Sequence, residues 1–368
     1  MEKILPWFVL KSVPGIGNHL FKRLIDRFHS PELALKASGK DLSEIEGMTP
    51  RLVTAIKQHR LPDRVKKDID LVMHNGYKIV TMSDIDYPPL LLQIPDPPPF
   101  LYVLGHLISP LNNIAVVGSR NATRYGISST QQLCKELASF EITIVSGMAL
   151  GIDSAAHEGA LLGKGHTIAV LGSGLEVIYP KENRKLFYEI AEKGAVISEF
   201  PLRAEPEPKN FPIRNRIISG ICLGTVVVEA TNKSGSLITA RLAAEQGRDV
   251  FAVPGSIHSF KSIGTHTLIK QGAKLVEHAQ DIMEEFLYVM DVPDRKETLN
   301  QDRIGPTLAS LSSDESLVYD ALESYPIHID DLVQKLSMGP GKLSSILLQL
   351  ELKGMVKQSP GKFFSLTD

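Results

Sequence analysis

Five residues within eight positions, Lys209, Phe211, Arg214, Asn215 and Arg216, concentrate the chemistry of this chain in the stretch KNFPIRNRIISG. Ammonium and guanidinium groups suit a phosphodiester backbone. A phenyl ring can stack on an unpaired base, and an Asn side chain can hydrogen-bond a base edge or a sugar. Counting Arg203, the segment between Leu202 and Ile221 sets four cationic residues against two acidic ones, Glu205 and Glu207. The same composition also fits a surface loop with ordinary salt bridges. What surrounds the stretch separates the two readings.

Between residues 63 and 288 apolar runs alternate with helical segments. The runs are Ile114–Val117, Ile142–Val145, Ile168–Leu171, Ala195–Ile197, Thr225–Val228 and Val250–Val253, short and often β-branched, as parallel strands covered on both faces require. Helical patterns at Ser128–Phe140, Ser154–Leu162, Arg184–Lys193 and Leu237–Gln246 separate most of them. The fold expected is α/β, a doubly wound, Rossmann-like sheet. The Pro-rich piece VTMSDIDYPPLLLQIPDPPPFLYVLG before it reads as an extended lead-in.

Ligands of such sheets bind beyond the carboxyl ends of the strands. There the chain places Gly118-Ser119-Arg120, then Ser146-Gly147, then Gly172 and Gly174, then the cationic stretch, then Ser234-Gly235-Ser236 at a helix start, then VPGSIH. Glycine lets backbone approach a ligand closely, and helix N-termini offer N–H groups to anions. Each turn alone fits tight packing. Together with Arg120, Lys209, Arg214 and Arg216 they point to a phosphate-rich ligand.

Two smaller modules flank the sheet. Residues 1–62 read as short helices of a helix-hairpin-helix or SAM-like module. Gly15-Ile16-Gly17 forms a turn able to hold one DNA phosphate, and a degraded second copy lies at Ile45–Thr49. Packing or partner contact is the alternative use of that module. A polar linker, 289–310, leads to residues 311–368, where helices Asp314–Leu322, Ile329–Leu336 and Gly341–Lys353 precede strands Met355–Lys357 and Lys362–Ser365. That order is a winged helix, although its third helix offers only Lys342 and Lys353 against Glu351.

The chain has 368 residues, 43% of them hydrophobic, enough for two or three globular domains. No apolar run is long enough to cross a bilayer, and MEKILPWFVLKSVPG lacks a signal-peptide pattern, so a cytoplasmic location without membrane contact is expected. Cys134 and Cys222 have no metal-ligand spacing and read as core thiols. Since net charge is −2, any nucleic-acid surface must be local.

The segments GSR (118–120), SGMALGIDSAAHEGAL (146–161), TIAVLGSGLEVIYP (167–180), FPIRNRIISG (211–220) and VVEATNKSGSLITARLA (227–243) resemble the DNA-processing protein A family, DprA or Smf. VFAVPGS (250–256) and LIKQGA (268–273) extend the resemblance, which spans nearly the whole middle domain. It implies a cytoplasmic single-stranded DNA-binding protein that protects incoming DNA. Such a protein loads the RecA recombinase during natural transformation, the competence pathway, and homologous recombination. It also implies an extended Rossmann fold that forms a homodimer, with no cofactor. Carried over by position, Arg120, Lys209, Phe211, Arg214, Asn215 and Arg216 are expected strand contacts. Gly118, Ser119, Ser146, Gly147, Gly172, Gly174, Ser234 and Gly235 are supporting backbone or hydroxyl contacts. Glu176 and His266 depart from the family's usual Asp and Asn.

The rival reading is a Rossmann-like enzyme that binds or hydrolyses nucleotides. Relatives of that kind carry a Glu after a PGGxGT turn, whereas this chain has SGSLITA with Thr239 and no Glu in register. Asp153 and Glu229 could serve as acid or base, but Asp153 is expected to cap the helix at Ser154 and Glu229 to order N–H groups or an arginine. No G-x-G-x-x-G joins the first strand to its helix, which disfavours a dinucleotide. His157, His166 and His258 lack ligand spacing. An architectural adaptor working through the end modules is a third possibility.

Overall fold

The six apolar runs become strands of one nine-stranded sheet, each displaced by no more than one residue. A computed structural model describes residues 3–108, 112–286, 312–322, 327–336, 338–353, 355–359 and 361–366. The strands are β1 (Lys78–Thr81), β2 (Phe100–Gly105), β3 (Asn113–Gly118), β4 (Thr143–Ser146), β5 (Thr167–Val170), β6 (Ala195–Ser198), β7 (Gly224–Val228), β8 (Asp249–Ala252) and β9 (Lys274–Leu275). Their order is β1-β2-β6-β5-β4-β3-β7-β8-β9, parallel from β6 through β9. Ile114 lies opposite Ile144 on one side and Gly224 on the other. Strand order reverses between β3 and β7, the topological switch point where a doubly wound sheet opens a crevice.

Period-two alternation explains why the strands are apolar throughout. Ile114 and Val116 join the core beneath helices Arg124–Ser139, Ile152–Leu162 and Ala279–Phe286, while Ala115 and Val117 join the core on the opposite face. The Pro-rich piece is more than a lead-in. β1 pairs antiparallel with β2, and β2 pairs antiparallel with β6, so this segment extends the sheet. Its prolines fall between the strands, where a missing N–H breaks no ladder.

The FPIRNR stretch, to which the sequence assigns no secondary structure, is helix Asn210–Gly220 and not the alternative surface loop. Pro212 sits in its first turn, where a backbone N–H has no intrahelical acceptor, so the ring is tolerated. The helix packs against helix Gly235–Glu245.

Helices Leu5–Lys11, Asn18–Phe28, Pro31–Lys36, Gly39–Ser43 and Pro50–Gln58 form the N-terminal part. Gly15 adopts φ +93 before helix Asn18–Phe28, and Gly47 adopts φ +87 before helix Pro50–Gln58, so both hairpin turns form. Arg23 of the first hairpin donates to the Glu46 carbonyl in the second turn at 2.7 Å. The core of these helices is continuous with one face of the sheet: Trp7, Phe8, Leu10, Phe21 and Leu24 cluster with Phe100, Leu101 and Tyr102. Residues up to 290 accordingly form one compact unit, and those beyond form another.

The C-terminal unit has helices Ser313–Ala321, Ile329–Leu336 and Pro340–Leu352 with strands β10 (Ile327–His328), β11 (Val356–Ser359) and β12 (Phe363–Leu366), ordered β10-β12-β11. This is a winged helix, with the short β10 added to the expected pair. Leu332, Leu343, Leu347 and Leu350 fill its core. Lys342 pairs with Asp314 at 2.6 Å and Lys353 with Glu315 at 2.7 Å, so both lysines of the third helix already meet carboxylates. The expected linker 289–310 lies outside the described residues.

Candidate nucleic-acid interface

A cleft of about 540 Å3 opens beyond β3 and β7, at the switch point. The turn after β3 contributes Gly118, Ser119, Arg120 and Asn121. Helix Asn210–Gly220 contributes Phe211, Arg214 and Asn215. The turn after β7 contributes Thr231, Ser234, Gly235, Ser236 and Thr239. Eight of the residues expected from sequence therefore share one cavity: Gly118, Ser119, Arg120, Phe211, Arg214, Asn215, Ser234 and Gly235.

Helix Gly235–Glu245 begins at this cavity without a side-chain cap. Its N-cap Ser234 shares a hydrogen bond with the Ser236 hydroxyl at 2.7 Å instead of a first-turn N–H. A Cβ on Gly235 would meet open space, so the uncapped helix start is accessible. The orphan N–H groups and the positive end of the helix dipole suit an anion here.

Phe211 is half-buried at the opposite wall. Arg120 lies 5.4 Å from its ring centroid and Arg214 lies 5.9 Å away. Tyr179, 45% exposed, adds a second ring 5.8 Å from the first at 50°. Tyr179 ends the segment TIAVLGSGLEVIY, and its approach to Phe211 leaves no signal in the sequence because neighbours in space are not neighbours in the chain. Arg120 itself is exposed and forms no ion pair within 4 Å among the described residues.

The remaining expected contacts fall beneath or beside the cleft. The Ser146 hydroxyl is fully buried and donates to the Val116 carbonyl at 2.6 Å. Gly147 leaves room for Arg214, since a Cβ there would lie 2.6 Å from the guanidinium. Gly172 supports the ring, with Phe211 Cδ1 2.9 Å from where its Cβ would be. Gly174 abuts the Pro201 and Leu202 carbonyls, each 2.1 Å from its Cβ position. Lys209 is exposed beside the mouth and pairs with Glu207 at 2.6 Å.

The two arginines of the helix part company, and this corrects the expectation of a shared cationic row. Residues two apart on a helix point about 160° away from each other. Arg214 turns toward the sheet ends, donating to the Gly147 carbonyl at 2.6 Å and to the Val170 carbonyl. Burial pushes its pKa down to about 10, with Asp153 opposing that shift and Arg120 adding to it. Arg214 therefore braces the cleft floor with most of its donors already used. Arg216 turns the other way and does not line the cleft. It is 6% exposed and pairs with Asp96 at 3.1 Å and Glu199 at 2.5 Å. Burial raises the Glu199 pKa, while Arg216 and then Lys11 hold it down. Asn18, the first residue of helix Asn18–Phe28, also donates to Glu199 at 3.4 Å. This buried ionic group ties the first hairpin to the sheet, and Asp96 in a Pro-rich run gave no sequence signal for it.

Asp153 does not cap its helix. Helix Ile152–Leu162 starts two residues before the expected Ser154, with Gly151 as N-cap, and Asp153 accepts from the Ala149 N–H at 3.3 Å. Burial raises its pKa and the nearby Arg214 opposes the shift. Glu229 orders N–H groups as expected: its carboxylate accepts the Thr123 N–H at 2.9 Å and also the Thr123 hydroxyl. His157 is fully buried beside the Thr167 hydroxyl at 2.6 Å, and burial lowers its pKa to about 3.

Fold and site together define an extended Rossmann-like protein with an open, anion-receptive cleft, continued by a winged helix. The family described as DNA recombination-mediator protein A matches residues 78–287, and the DprA winged helix domain matches residues 305–362. The chain is 36% identical to Protein Smf of Synechocystis over 96% of each chain. It is 48% identical to DNA processing protein DprA of Streptococcus pneumoniae over 57% of this chain and 75% of that one. The X-ray structure of the Streptococcus pneumoniae protein superposes with a TM-score of 0.66 at 36% identity, covering 77% of this chain and 98% of the other. A Helicobacter pylori structure, solved to show the single-stranded DNA binding mode of its DNA processing protein A, gives 0.52 at 33% identity over 57% and 96%. The chain belongs to the DprA/Smf family.

Proposed function

We propose that this protein binds single-stranded DNA in the cleft at the switch point. Among the cleft residues, Arg120 supplies a phosphate contact and Phe211 a stacking platform. Asn215 and the uncapped start of helix Gly235–Glu245 supply hydrogen bonds, with Gly118, Ser119, Ser234 and Gly235 allowing close backbone approach. Lys209 reaches a passing phosphate by exchanging its exposed pairing with Glu207. The observation that carries this reading is the joint placement of an unpaired arginine, a ring and an uncapped helix start in one cavity. A cationic groove with an aromatic platform and no array of base-reading side chains binds unpaired strands with little sequence preference. The Helicobacter pylori relative, studied for its single-stranded DNA binding, supports the same assignment.

On this reading residues 63–288 are the strand-binding domain, flanked by the hairpin module 1–62 and the winged helix 311–368. The protein acts in the cytoplasm as a homodimer that protects incoming strands and loads the RecA recombinase during transformation and recombination. It works by binding, without catalysis or cofactor. Engagement of Asp153 and Glu229 by backbone donors supports that view. Mobility shifts test it: single strands should be retarded at salt concentrations where duplex is free, and adding RecA should give a slower ternary species. Equal retention of duplex, or turnover of nucleoside monophosphates, would overturn it.

A further inference from the structure

A second cavity, about 550 Å3, lies next to the first along the chain. Arg120 and Asn121 line the cleft, while Thr123 and Tyr125 line its neighbour. The other walls of the second cavity include Glu229, Ser259 and Ser262. Its polar chemistry differs from that of the cleft. Among the described lining residues the one acidic side chain is Glu229, 8% exposed. Its two oxygens already accept the Thr123 N–H and hydroxyl, and their remaining lone pairs repel a phosphate but can accept from the N–H groups of a neutral heterocycle. Ser262 is 4% exposed, and its hydroxyl has no hydrogen-bond partner among the described residues, so it is free to donate or accept. Tyr125 is 59% exposed at the rim and offers a flat face.

Lys261 links a segment lining the cleft to one lining the second cavity. Its Nζ donates to the carbonyl of Asn121, which lines the cleft, while the adjacent Ser262 lines the second cavity. A cation that links the two linings is placed for the phosphate that joins two successive nucleotides. Resting on the reading of the cleft as a single-strand site, we propose that the second cavity takes the base of the next nucleotide. The strand then spans both cavities, with Tyr125 as its second stacking platform and Glu229 and Ser262 as partners for the base edge.

The test uses the full chain and thymidine oligonucleotides of increasing length, with affinity measured by fluorescence anisotropy across salt. Tyr125→Ala should bind strands long enough to span both cavities about five- to tenfold more weakly, the lower part of the range for one stacked base. It should bind the shortest strand as the wild type does. Its salt slope should be unchanged, because no phosphate contact is lost. Tyr125→Phe should restore affinity. A 2-aminopurine placed at the second base should change emission on binding to wild type and not to Tyr125→Ala. Equal affinity of Tyr125→Ala at every length would overturn the proposal, as would an equal loss on the shortest strand. Altered self-association with unchanged strand affinity would assign the cavity to a second copy of the chain instead. Failure of the wild type to bind any strand would overturn the underlying cleft reading.

Discussion

Arg216→Ala should damage the fold and spare the DNA interaction. The Arg216 and Glu199 side chains are 8% and 10% exposed, so the substitution strands a carboxylate that burial already penalises. Removing one partner of a buried ion pair costs about 3–5 kcal/mol. For a unit of this size each kcal/mol moves Tm by roughly 2–4 °C, so a drop of roughly 6–20 °C is expected. The sign of the pH dependence follows from Glu199. Its folded pKa is already above the ordinary carboxylate value and rises further without Arg216, so the folded variant binds protons that the unfolded chain does not. The variant therefore regains stability as pH falls from 7 toward the ordinary carboxylate range, and its deficit against wild type narrows. Adding Glu199→Gln should recover much of the loss, because the stranded charge is gone. Thermal melts at pH 7 and pH 5, with anisotropy titrations well below the melting range, supply the measurements. An unchanged Tm combined with a flatter salt dependence of strand binding would refute the reasoning and return Arg216 to the cleft.

Three further substitutions probe the site. Arg120→Ala should leave stability within about 0.5 kcal/mol, since the side chain is exposed and unpaired. It should also lower the salt slope for single strands by about 0.7, roughly a 2.6-fold smaller loss of affinity over a fourfold rise in salt. Phe211→Ala should weaken strand binding by about 1–3 kcal/mol with little change in salt slope, read in the same titrations. His157→Gln tests burial of a neutral imidazole. With its folded pKa near 3, below the ordinary 6.5, wild-type stability should fall as pH drops from 6.5 toward 3, by at most about 1.4 kcal/mol per pH unit. Urea melts of the variant should lack that component.

Much of the scaffold was legible because the parallel strands must be apolar on both faces. Six such runs, spaced by helices, allowed only a doubly wound sheet. Glycines at strand ends marked the ligand edge for the same physical reason. The β1–β2 addition was hidden because prolines dominate its composition, although they sit only in the connection. Arg214 and Arg216 looked equivalent in the sequence. Their separation became visible only once FPIRNR proved to be a helix, which sends alternate residues to opposite sides. Asp96 and Glu199 could not be matched to Arg216 from spacing, since 120 and 17 positions separate them from it. The uncapped start at Ser234 needed coordinates, because a serine there ordinarily promises a cap.

The most direct measurement is photocrosslinking of a halogenated thymidine oligonucleotide to the full chain, with the adducts located by mass spectrometry. The cleft assignment predicts adducts on the peptide carrying Phe211, lost in Phe211→Ala and competed by unlabelled single strands. Adducts confined to the winged helix or to the N-terminal hairpins, with Phe211 untouched, would contradict it.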